Sequence, residues 1–153
     1  IIQEQCMSYK SIVCGVTGSA HAQKAALKAA VLARENDAQL IYVYVVDTDF
    51  FRKGIAVELS SHSITESLQH LGTHILGVAE QLALAQGITP KKIVKTGRIL
   101  DALQQVVKEE KADLLILGHE ERTFFEKALF KGDVESHVEE LKKKTGIDVS
   151  VVI

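Results

Sequence analysis

The sequence predicts one α/β domain: a doubly wound, five-stranded parallel sheet with helices on both faces. Short runs rich in β-branched residues alternate with amphipathic segments long enough to be crossover helices. Leu114 to Leu117 form a continuous apolar run between Asp113 and Gly118, the pattern of a parallel strand buried on both faces. Glycines follow several strand candidates, at Gly18, Gly97 and Gly118, where the chain turns toward the next segment.

Ser11 to Val16 is the first predicted strand, and Thr17-Gly18-Ser19 turns it into a helix from about Ala20 to Glu35. One stripe of that helix, Ala25, Ala26, Ala29, Leu32 and Ala33, is mostly alanine and lets it lie close on a sheet. Asn36-Asp37 breaks the period, and Leu40 to Val46 is the second strand. Residues 47–58 form a long loop in which Phe50 and Phe51 cap the edge of the core. Ser63 and Glu66 match a capping box at the start of the longest helix, and Ile64, Leu68, Leu71, Ile75, Val78 and Leu82 predict its core face. Lys92 to Thr96 follows as the third strand, then Gly97 and a helix with Leu100, Leu103, Val106 and Val107 inward. After the fourth strand and its loop, Asp133 is a candidate N-cap for a helix with Val134, Val138 and Leu141 on one side. Glu139 and Glu140 precede Lys143 and Lys144 by four residues, the favourable order for ion pairs, and Asp148 to Ile153 is the last strand.

The 153 residues suffice for one domain without a disulfide or metal staple, with residues 1–8 read as a disordered or cloning-derived extension and 9–153 as the domain. Eighteen basic against 20 acidic residues give a net charge of -2, so no global field attracts nucleic acid or an anionic membrane, and neither is expected as a partner. No apolar run reaches the roughly 18 residues of a membrane helix, no secretion signal is visible, and the expected location is cytoplasmic. Cys14 falls in a strand pattern as a small hydrophobe, while Cys6 lies outside the predicted elements and neither is assigned chemistry.

The functional interest concentrates after the fourth strand. Gly118, a polar loop with Arg122, Thr123, Lys127 and Lys131, then Gly132 and a helix is an order that can place backbone amides and a helix N-terminus around an anion. Glu66, His70 and His74 share one row of the long helix, but no partner for a metal is evident and they read as solvated. His119 has a good position at the strand end, yet no nucleophile accompanies it. GxGxxG is absent after the first strand, as are the SGGxDS and HxGH signatures of adenylating enzymes, which leaves enzymes the weakest class.

The pieces YKSIVCGVTGSAHAQKAALKAA, LIYVYVV, TGRILDAL, DLLILGHEERT and IDVSVVI occur in an order and spacing that resemble a universal stress protein of the UspA type. That family has a Rossmann-like fold of the adenine-nucleotide α-hydrolase-like group. Some of its members bind ATP, and others keep the fold without doing so. The resemblance implies a candidate nucleotide site of Thr17, Val45, Gly118, Arg122, Thr123 and Gly132. Nucleotide-binding members follow their fourth strand with a glycine, two residues, a second glycine, nine residues, a third glycine and a serine or threonine. In this chain Gly118 matches, Glu121 replaces the second glycine, Gly132 falls one residue late and Asp133 replaces the hydroxyl residue. Thr17 stands where such members carry an aspartate.

The expectation is therefore a non-enzymatic stress-response module with no cofactor and a degenerate nucleotide loop. The resemblance implies a homodimer through Asp148 to Ile153, and an unidentified protein partner is also expected. The alternative is a nucleotide-dependent sensor holding ATP or AMP.

Overall fold

The computed structural model of the chain describes residues 9–16, 20–47, 61–118 and 134–152. Five parallel strands, β1 (Ser11–Gly15), β2 (Gln39–Asp47), β3 (Lys91–Gly97), β4 (Leu114–Gly118) and β5 (Asp148–Val152), form one sheet in the order β3-β2-β1-β4-β5. The helices α1 (Ala20–Asn36), α2 (Ser61–Ala85), α3 (Ile99–Glu109) and α4 (Val134–Thr145) connect them. The predicted doubly wound α/β architecture is what the chain adopts. The Leu114 to Leu117 run is buried throughout, although the middle strand is β1 and β4 lies between β1 and β5.

The sheet divides the core into two layers because successive side chains of a strand point to opposite faces. Ile12, Cys14, Leu40, Tyr42, Leu114 and Ile116 pack with the alanines of α1 and with Leu76, Ala79 and Ala83 of α2. Val13, Ile41, Val43, Leu115 and Leu117 pack with Leu103, Val106 and Val107 of α3 and Leu141 of α4. On α1, Ala25, Ala26, Ala29 and Ala33 are fully buried, as the alanine stripe predicts. Tyr42 is the largest fully buried side chain; its hydroxyl donates to the Ala26 carbonyl at 2.7 Å, satisfying a polar atom that would otherwise be stranded. Burial pushes its pKa upward, and burial also pushes the Cys14 thiol up to about 12, so Cys14 is an inert packing group at neutral pH.

The long helix differs from the sequence reading in two respects. It begins at Ser61, two residues before the expected Ser63 cap. Its buried face runs through Gly72, Leu76, Ala79 and Ala83, whereas Leu71 and Val78 are 48% and 42% exposed. The cause is a close approach: a Cβ on Gly72 would lie 2.3 Å from Cδ1 of Tyr44, so the helix turns its smallest residues to the sheet. Leu71 and Val78 move to the flank as a result.

Asp113 ties the amino end of the sheet together. Its carboxylate accepts from the backbone N–H of Lys10 at 2.9 Å and of Ser11 at 3.1 Å, and its own N–H donates to the Ser11 carbonyl. Beside it, Tyr9 donates its hydroxyl to Asp148. At the other end Gly97 closes β3 with φ 146, a left-handed value that only glycine adopts readily, and α3 starts two residues later.

Candidate functional site at the carboxyl edge of the sheet

In the order β3-β2-β1-β4-β5 the chain winds one way from β1 through β3 and the other way from β4 to β5. The connections therefore diverge at the carboxyl ends of β1 and β4, where open α/β sheets form their crevice. Val45 and Gly118, from the implied site, lie on this edge with β1 between their strands. Thr17, Arg122, Thr123 and Gly132 lie outside the described residues, as do His119, Glu121, Asp133 and the Phe50-Phe51 pair.

Val45 and Gly118 address opposite faces. Val45 packs with the layer that contains α3, while a Cβ added to Gly118 would point at α1, 2.7 Å from the Ala22 nitrogen and 2.8 Å from its Cα. Those neighbours are backbone atoms, which cannot swing aside. Gly118 is thus required by the approach of α1, independently of any ligand. The strand-glycine pattern pointed to an anion loop; the described packing supplies a structural cause for its first glycine. Sequence reasoning missed that cause because the contact depends on the crossing of α1 over β4, which no local spacing records.

On the α1 side of the same edge, a cleft of about 200 Å³ opens between α1 and α2, bordered by Val16, Gln23, Ala26, His74, Ile75 and Leu82. It is mainly apolar, and His74 at its side is exposed. His70 and Glu66, of the same helical row, are exposed as well. Among the described residues no group of three or more His, Cys, Asp or Glu side chains could hold a metal ion. Nor is any described helix long and apolar enough to cross a membrane.

The family model of the universal stress proteins matches residues 8–152. This chain belongs to the universal stress protein family. A universal stress protein of Methanocaldococcus jannaschii is 31% identical over 130 residues, which cover 85% of this chain and 75% of that relative. A solved universal stress protein in complex with cAMP is 25% identical, with a TM-score of 0.68 over 95% of this chain and 97% of the other. The universal stress protein UspA from Lactobacillus plantarum, at 18% identity, shares the fold with a TM-score of 0.73 over 95% and 99% of the two chains. The universal stress fold thus accounts for the sheet order, the paired helical layers and the position of the crevice.

Proposed function

We propose that this universal stress protein is a non-enzymatic, dimeric stress-response module whose nucleotide loop has lost its phosphate chemistry. The observation that carries the reading is the pair of carboxylates, Glu121 and Asp133, that the sequence puts into the loop after β4. Like charges repel, so each carboxylate disfavours a phosphate beside it. Arg122, Lys127 and Lys131 offset part of the repulsion, but glutamate also adds a Cβ where nucleotide-binding members have none. The α1 contact of Gly118 supports the same reading, because the glycine that remains has a packing role.

A second reading, a sensor that binds ATP or AMP without turning it over, is favoured by the similarity to the protein solved with cAMP. In it Thr17, Val45, Gly118, Arg122, Thr123 and Gly132 surround the ligand. A Glu121→Gly, Asp133→Ser double variant separates the two. Under the first reading it acquires ATP affinity that the parent lacks, by at least about tenfold for removal of two repelling groups. Equal affinity of parent and variant contradicts it.

A further inference from the structure

Beside the face that it turns to the sheet, α2 carries a second apolar face. Leu68, Leu71, Ile75, Val78, Leu82 and Ala85 follow one another at alternating intervals of three and four residues, the spacing of a seam that packs on another helix. The residues against the sheet are different ones, Gly72, Leu76, Ala79 and Ala83. Leu71 and Val78 are 48% and 42% exposed, Ala85 is exposed, and Leu68, Ile75 and Leu82 are half-buried. The seam opens on the cleft of about 200 Å³ between α1 and α2, whose α2 wall includes Ile75, Val78 and Leu82. Gln23 and Ala26 border it on α1, and Leu27, one turn beyond Gln23, is 40% exposed. Four large apolar side chains are exposed among the described residues, and three of them, Leu27, Leu71 and Val78, lie along this one groove. Exposure gathered in this way marks an interaction surface, whereas single scattered side chains do not.

Charge selects the occupant. Ser67, His74 and Gln81 form the exposed border of the seam and Gln23 faces it from α1, so the border holds no carboxylate, ammonium or guanidinium group. Glu66 and Glu80 take the position of the repeat farthest from the seam, and Glu80 pairs with Lys92 at 3.1 Å. Lys24, Lys28 and Glu35 stand at least about 100° round α1 from Gln23. Arg34, at the end of the groove, donates to Gln86 at 2.6 Å. A twofold contact sets a surface against itself and would bring border charges up to their own like. A border without charge avoids that repulsion, and it offers no counter-charge to select an acidic or a basic helix. The chain itself supplies the matching element, because α2 is a helix with the required spacing.

We propose that this groove is a contact between two copies of the chain, in which α2 of each lies antiparallel against α2 of the other. Ile75 faces Val78 of the second copy and Leu71 faces Leu82. His74 comes beside Gln81, an imidazole and an amide that can share a hydrogen bond. Because α2 packs on β2 and β3 while β5 lies at the far edge of the sheet, the contact is separate from the one proposed for β5 and can link β5 dimers to one another. The seam is short, so association falls near about 0.1–1 mM, the weak end of specific contacts.

Sedimentation equilibrium of full-chain Val151→Lys tests the proposal. Its weight-average mass is expected to rise by at least about half between about 10 µM and about 1 mM, by mass action. Adding Leu71→Gln and Val78→Gln removes the rise and leaves the melting temperature at micromolar concentration unchanged, since neither side chain belongs to the core. In ¹H–¹⁵N spectra the concentration-dependent shifts fall on Leu27, Leu71, Ile75, Val78 and Leu82, and not on Leu84 across the helix. Loss of the β5 contact changes the mass at micromolar concentration and loss of this one only near millimolar, so the two failures are told apart. A mass constant over the whole range would leave the groove to a helix of another protein and overturn the proposal. A rise that the added substitutions do not remove, or shifts that gather at Leu84, would overturn it as well.

Discussion

Gly118 ends β4 where α1 crosses it, and the clearance for α1 fixes its identity. With a Cβ 2.7 Å from the Ala22 nitrogen, Gly118→Ala must push α1 off the sheet or bend the end of β4. Overpacking of this kind costs about 1–3 kcal/mol. Chemical denaturation of the ligand-free variant is expected to register that loss. An unchanged midpoint would mean that the glycine is kept for something other than α1. Asp113 illustrates a different limit of sequence reading: it was legible only as a polar flank of an apolar run, because its partners Lys10 and Ser11 lie about a hundred positions away. Cys14 was legible as a packing residue, since the apolar run around it offers no cationic or basic side chain to activate a thiol.

At the scale of elements, β1, β2 and β4 were readable as short apolar runs and β5 by its alternation, whereas the buried face of α2 was not. A hydrophobic count selects Leu71 and Val78 over Gly72 and Ala83, but the ring of Tyr44 selects by size and reverses the choice. Leu76→Ala, at a site 2% exposed, is therefore expected to cost about 2–5 kcal/mol. Leu71→Gln is expected to stay within about 0.5 kcal/mol, as for other surface changes. Equilibrium unfolding of both variants checks the pair, and similar losses would return Leu71 to the core. The same scale holds the proposed dimer contact. β5 is an edge strand, paired to β4 through Leu117 and Val151, and its other edge has no strand beside it among the described residues. Val151→Lys is expected to convert dimer to monomer in light scattering at micromolar concentration. Persistence of a dimer would move the interface off this strand.

For the whole molecule, the alternation of strands and helices was enough to derive a doubly wound sheet, since right-handed parallel crossovers leave few other arrangements. The candidate site was less legible. Its spacing pattern mixes residues kept for packing, as at Gly118, with residues whose charge opposes a phosphate, as at Glu121 and Asp133, and a spacing pattern alone weights them equally. Under the proposed function these charges have closed the nucleotide edge while the fold persists. Calorimetric titration of stripped, dialysed protein with MgATP, with AMP as a comparison, tests it most directly. No heat of binding up to millimolar ligand is the predicted result. Saturable micromolar binding would contradict the account and establish a nucleotide sensor.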